Sequence, residues 1–259
     1  MIKLFRKIRQ KLIKENKLSK YLLYAFGEIL LVVIGILIAL SLNNWNQKQT
    51  ERKLESRYIF SLIEDAKTDL SNFNNAIIVN EERVKILDTL ASMCFNYDME
   101  DGNTPELFIQ NYKAYAHPFF VTHTDRTLAQ LKNTGNLRLI TDKSIADALI
   151  KYEGYFEKLS NQQVWYENAL NSLIESGIPI FNFKYRPKID QEFDKELFQK
   201  TVKLNATNKE LIIELGNRAV MYSEITRYYL FLLKQGSKRA RELIKTLENN
   251  STNTTTTQP

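Results

Sequence analysis

An apolar run of membrane length near the start constrains this chain more than any other feature. The segment YLLYAFGEILLVVIGILIALSL, Tyr21 to Leu42, is 22 residues long. As a helix rising about 1.5 Å per residue it reaches about 33 Å, enough to cross a hydrocarbon core of about 30 Å. Its uninterrupted part, Ile29 to Leu40, is apolar all round, unlike the one-sided stripe of a surface helix. Tyr21 and Tyr24 at one end and Trp45 beyond the other suit the interfacial zones. One transmembrane helix is therefore predicted over 21–42.

The flanks set its orientation. Eight of the 36 Lys and Arg residues precede the run (Lys3, Arg6, Lys7, Arg9, Lys11, Lys14, Lys17, Lys20), against one acid, Glu15. The stretch Asn43 to Gln47, which follows, carries no charge. Basic flanks stay in the cytoplasm, so the expectation is a single-pass membrane protein with a cytoplasmic N-terminus and an exported C-terminal part. Phe5, Ile8 and Leu12 recur at helical spacing among the basic residues, so residues 1–20 read as an amphipathic tail lying on membrane lipid. A cleavable signal peptide is the alternative, because Ala39 and Ser41 mimic its small-residue cleavage pattern. The apolar stretch is longer than the usual signal core of about 7–15 residues, which favours an uncleaved anchor.

The overall charge of +6 belongs to this tail: beyond residue 20 there are 28 basic and 29 acidic residues. A basic block beside an apolar span serves topology, and no nucleic-acid partner is expected. Glu28 is the one ionisable residue within the span. It lies toward the cytoplasmic end, where a lysine such as Lys20 offsets part of its cost. Glu28, Val32, Gly35 and Ala39 share one helix face, and Gly35 and Ala39 form a small-xxx-small pair that lets two backbones approach. The face is read either as a tolerated glutamate beside small residues or as a helix-association surface.

Two runs carry a family resemblance. KIRQKLIKENKLSKYLLYAFGEILLVVIGILIALSLNNWN, Lys7 to Asn46, joins Gly27-Glu28, an apolar stretch and Asn43-Asn44-Trp45. LAQLKNTGNLRLITDKSIADALIKYEGY, Leu128 to Tyr155, places a Leu-Lys-x-x-Gly-x-Leu-x-Leu-Ile turn before a helix. Together they resemble an uncharacterised family, a domain of unknown function, of single-pass membrane proteins from Bacteroidota. Ser41 and Gln47 depart from the commoner Gln and Glu of that pattern. The resemblance implies an inner-membrane protein with an exported helical part. It carries over no catalytic residue.

The exported part, 43–249, reads as all-α: the transmembrane helix continues into an elongated antiparallel helical bundle. Only 8 Gly and 5 Pro in 259 residues leave few places to reverse the chain, which favours long helices. A first leg is predicted from about Asn44 to Met93, with Leu54, Tyr58, Leu62, Ala66, Leu70, Phe73 and Ile77 at three-and-four spacing. A second leg opens at Thr104-Pro105-Glu106, breaks at His117-Pro118, resumes near Asp125 and stops at Gly135 as a left-handed cap. A third runs from Thr141 or Asp142 to about Ser176, capped by Gly177. An aromatic loop (Phe181, Phe183, Tyr185) and a minor helix, about Asp190 to Val202, precede the fourth. A Thr207-to-Glu210 capping box opens that leg, which is predicted to end near Asn249. The run Tyr228 to Leu233 is read as core, and 250–259 as a disordered tail. Short connections make consecutive legs antiparallel, so the corner at Gly135 is expected at the opposite end of the bundle from the Asp98–Asn103 loop.

No catalytic or cofactor signature stands out. His117, His123 and Asp125 match no metal template. Asp142 and Ser144 beside Arg138 are explained by helix capping. Cys94 is the single cysteine, read as a small buried residue. The turn KNTGNLRLITD is the densest in special residues, with Gly135 and Asn136 tolerant of positive φ. It reads either as a structural corner or as a docking surface presenting Lys132, Asn133, Gly135, Asn136 and Arg138. The leading expectation is a non-enzymatic, membrane-tethered interaction or scaffold module of the envelope, with an envelope protein or a second copy of itself as partner. A ligand-binding sensor and an envelope enzyme are the alternatives.

The shared face of the span yields a test. Replacing Gly35 and Ala39 together by Leu should weaken helix association in a bacterial membrane two-hybrid assay. Unchanged association would remove this face from consideration.

Overall fold

A computed structural model describes residues 18–100, 102–115, 120–181, 204–205 and 208–255. The predicted tail helix within 1–17, the His117-Pro118 break, most of the aromatic loop, the minor helix and Thr207 lie outside these residues. Among the described residues there are five α-helices: α1 (Leu18–Phe95), α2 (Thr104–Ala114), α3 (Arg126–Asn133), α4 (Lys143–Gly177) and α5 (Lys209–Thr255). A short 3-10 helix, Asn136–Leu139, lies between α3 and α4. The chain divides into two units, residues 1–57 and 58–259.

In the first unit, every residue from Ile29 to Leu40 is exposed, so nothing among the described residues covers these apolar side chains. Among the described residues, one helix is long and apolar enough to cross a membrane.

The second unit is an all-helical bundle built on the remainder of α1. Leu62, Ala66, Phe73, Ala76, Leu87, Leu90 and Cys94 are buried and recur at helical spacing. Contacts along α1 give the directions of the other legs. The Gln110 side chain donates to the Ile86 carbonyl (2.8 Å) and Arg83 to the Ala114 carbonyl (3.2 Å), so α2 runs antiparallel to α1. Further along, Thr124, Thr127 and Asn136 meet Asp69, Asp65 and Tyr58 in turn. The broken second leg thus returns to the end at which the chain enters the bundle. It does so with fewer residues than α1 because Phe120 to Asp125 is not helical, and non-helical chain advances about twice as far per residue. The third leg, α4, runs parallel to α1, with Tyr152 at Asp69 and Tyr166 at Asn80. The fourth, α5, runs back, with Ser223 at Asp88 and Ser237 at Asn74. Four legs alternate in direction, and Gly135 sits beside the start of the bundle, far from the Asp98–Asn103 loop.

Several local expectations need correction. Asn103 is the N-cap of α2, its Oδ1 accepting from Glu106 N at 3.2 Å, with Pro105 in the first turn. Gly177 is the last helical residue of α4 and has no positive φ. A Cβ there would lie 2.0 Å from Tyr115 Oη, so the glycine serves close approach. Asn208 Oδ1 accepts from Glu210 N at 2.8 Å and caps the start of α5. α5 continues to Thr255, six residues past the predicted end, into the stretch read as disordered. In Tyr228 to Leu233, Tyr229, Leu230, Leu232 and Leu233 are buried, while Tyr228 and Phe231 face outward.

Two glycines separate packing from propensity. A Cβ on Gly236 would lie 2.3 Å from the ring of Phe73, which is fully buried and held 5.6 Å from Phe156. Gly236→Ala should cost about 1–3 kcal/mol. Gly154 is exposed with nothing near a Cβ, and Gly154→Ala should add up to about 1 kcal/mol. Urea unfolding followed by far-UV circular dichroism reads both, and a neutral Gly236→Ala would contradict this packing.

Candidate functional site

Two buried carboxylates organise the middle of the bundle. Asp65 and Asp69 lie one turn apart on the core face of α1 and are 3% and 0% exposed. Asp65 Oδ1 accepts from Arg126 Nη2 at 2.6 Å, and Oδ2 accepts from the Thr127 backbone N–H at 2.9 Å. The first-turn N–H groups of α3 need an acceptor. Its own N-cap, Asp125, makes no side-chain cap bond. Asp65 therefore caps α3 from another helix, with its negative charge at the positive end of the helix dipole. Asp69 Oδ1 accepts from Thr124 N at 2.8 Å, and Oδ2 accepts from Tyr152 Oη at 3.0 Å. His123 Nε2 stands 3.7 Å from Asp69 Oδ2, and its ring stacks on Phe156 at 4.2 Å. One carboxylate thus joins α1, the segment before α3, and α4. Burial and the charge of Asp69 push the Tyr152 hydroxyl far above its ordinary range, so it stays a donor.

This clamp positions the corner that follows. Gly135 has φ +68°, a left-handed conformation that lets the chain turn from α3 into the 3-10 helix. Leu139 and Ile140 are buried and Leu137 is half-buried. Lys132 is exposed and bound to both carboxylate oxygens of Glu153 at 2.6 Å. Asn136 is half-buried and donates to Tyr58 Oη at 3.0 Å, a tie that suits the structural-corner reading and not the exposed contact that the docking reading gave it. Asn133 and Arg138 are exposed. The corner residues come together; Glu28, Val32, Gly35 and Ala39 belong to the other unit, where Gly35 has nothing within 4 Å of a Cβ position.

The remaining chemical candidates have structural roles. Asp142 Oδ1 accepts from Ser144 N at 2.7 Å and caps α4. Hydrogen bonds from Ser144 hold the Asp142 carboxyl below its ordinary range. Burial pushes the Cys94 thiol up to about 12, as expected of an inert core cysteine. Asp125 is exposed, His123 is stacked, and His117 lies outside the described residues. Among those residues no cluster of three or more His, Cys, Asp or Glu is placed to hold a metal.

A second feature went unread in the sequence. A cleft of about 370 Å³ opens between the first three turns of α4 and the later part of α5. Ser144, Asp147, Ala148, Lys151 and Tyr152 line one side, and Arg239, Glu242, Leu243 and Thr246 the other. Each set recurs at helical spacing, so the faces are legible singly. Their pairing needs the fold.

Fold and sites together define a class: a helix of membrane length joined to an all-helical bundle held by internal carboxylate ties. The chain belongs to a family of unknown function, DUF6090, whose model matches residues 28–192. That span takes in Asp65, Asp69 and the corner, and stops before α5. No curated protein and no solved structure matches the chain.

The cross-helix cap is directly testable. Asp65→Ala leaves Thr127 N and Arg126 without their acceptor and should cost about 2–3 kcal/mol, as for hydrogen bonds to a charged group. Asp125→Ala should stay within about 0.5 kcal/mol. Equal losses from the two substitutions, read by urea unfolding, would show that α3 is capped locally.

Proposed function

We propose that this protein is a membrane-tethered helical module of the cell envelope that acts by binding another protein. In this reading it is a single-pass inner-membrane protein of the Bacteroidota type. Residues 1–20 are cytoplasmic and the bundle is periplasmic. The carrying observation is that buried polar side chains of the bundle serve as struts. Asp65, Asp69 and Tyr152 spend their hydrogen bonds on holding one leg to another, and Asn80 accepts from Tyr166 of a second leg. They present a fixed corner at Lys132 to Arg138. A rigid, internally tied surface suits recognition, because little is lost in ordering it on binding. A membrane protein, an envelope protein or a second copy of the chain would meet the corner through Lys132, Asn133 and Arg138.

The cleft between α4 and α5 favours a second reading, a ligand-binding sensor signalling through a partner membrane protein. Pockets between helices of about this size commonly hold small ligands.

Cross-linking decides the first reading. A membrane-impermeant, amine-reactive cross-linker applied to intact spheroplasts should join the bundle lysines to one discrete partner species. Reaction only after lysis would reverse the orientation. Reaction in intact cells that yields only uncross-linked chain would reject the interaction module.

A further inference from the structure

We propose that the cleft between α4 and α5 binds a small zwitterion whose carboxylate and ammonium groups stand about one helical turn apart, the span of a dipeptide. This rests on the cleft alone and not on the protein-binding reading above.

Direction in the helix pair sets the layout. Tyr155 on α4 donates to the Leu232 carbonyl on α5, and the guanidinium of Arg239 lies over the Tyr155 ring at 4.9 Å. Because α4 and α5 are antiparallel, stepping back from Lys151 to Asp147 and Ser144 accompanies stepping forward from Arg239 to Glu242 and Thr246. The cleft is therefore layered. Lys151 and Arg239 form a cationic level, Asp147 and Glu242 an acidic level, and Ser144 and Thr246 lie beyond it. Lys151 and Asp147 are four residues apart, so their backbone positions on the cleft wall are separated by about 6 Å along the helix axis.

These charges are available to a ligand. Asp147, Lys151 and Arg239 have no ion-pair partner among the described residues, and Glu242 has only the distant Lys238 Nζ at 3.9 Å. The chain thus holds opposite charges one turn apart across a cavity without joining them. Arg239 is fixed by its aromatic platform, and a guanidinium so placed offers a planar fork to a carboxylate. The apolar floor, Ala148 and Leu243, suits a short aliphatic side chain. Tyr152 closes that floor, its hydroxyl already committed to Asp69. An extended dipeptide places its terminal charges about 7 Å apart, comparable to the rise between the residues of the two levels. A simple anion would satisfy only the cationic level and leave the acids facing it.

The test uses the full-length chain in detergent micelles and L-alanyl-L-alanine as probe, followed by isothermal titration calorimetry. Saturable binding with a Kd below about 10 mM is expected. The N-acetylated and the C-amidated dipeptides should each bind at least about tenfold more weakly, since each deletes one charge. Arg239→Gln and Asp147→Asn should each weaken binding about tenfold with the circular dichroism spectrum unchanged. Lys151→Gln, which leaves the Tyr155 platform untouched, supplies the same comparison should the Arg239 variant lose structure. No saturation by about 10 mM, or equal binding of the free and both blocked dipeptides, overturns the proposal. Binding is measured on the chain alone, so its failure leaves the protein-interaction reading standing.

Discussion

A carboxylate buried in a helical core is costly unless its oxygens are filled, and in this bundle that requirement fixes the path of the second leg. Asp65 and Asp69 sit where the three-and-four spacing of α1 would otherwise place apolar side chains. Their four oxygens accept from two backbone N–H groups, a guanidinium and a tyrosine hydroxyl. The backbone groups come from Thr124 and Thr127, so the acceptors hold main chain as well as side chain. A short helix such as α3, eight residues long, gains little stability alone. Capped by Asp65, it becomes a fixed part of the wall.

The rest of the architecture follows from that attachment. With Thr124 and Thr127 pinned, the chain reaches Gly135 at the entry end of the bundle, and the left-handed turn there releases α4 in the direction of α1. Tyr152, the hydroxyl that fills Asp69, comes from the third turn of α4, so the same carboxylate that holds the second leg also sets the register of the third. Further along, Asn80 repeats the device: it accepts from Tyr166 Oη at 2.9 Å and donates to the Ala76 carbonyl. α5 then closes over α1 and α4 through tyrosines, with Tyr166 edge-on to Tyr222 and Tyr229 at 5.0 and 5.4 Å.

Much of this frame was legible in the sequence, for identifiable reasons. Continuous apolarity from Ile29 to Leu40 admits few solutions, and the three-and-four spacing after Tyr58 marks a core-facing helix. Thr104-Pro105 and Asp142-Ser144 sit at the helix starts they suggest, because capping is local chemistry. What failed was non-local. Asp65 and Asp69 did not stand out, since an aspartate on a long helix is ordinarily solvated. Only their place at helical spacing between Leu62 and Phe73 hinted otherwise. Gly177 read as a turn residue although its job is to admit Tyr115, a neighbour 62 positions away in the chain. The sequence left Asn136 open between a structural corner and an exposed contact because its partner, Tyr58, lies 78 residues earlier.

The same distinction separates the two functional surfaces. The corner was visible because glycine, asparagine and alternating leucines announce a turn within eleven residues. The cleft was not, because its lining is divided between two helices about ninety residues apart, and each half alone resembles a solvated face. Charged residues on such faces ordinarily pair along their own helix, as Arg218 and Glu214 do at 2.6 Å. Asp147 and Lys151 stand four residues apart in the favourable order and remain unjoined, each directed to a cleft shared with Arg239. A local pair left unjoined beside a cleft leaves both charges free to meet a ligand, and a ligand that meets charges already apart has no ion pair to break first.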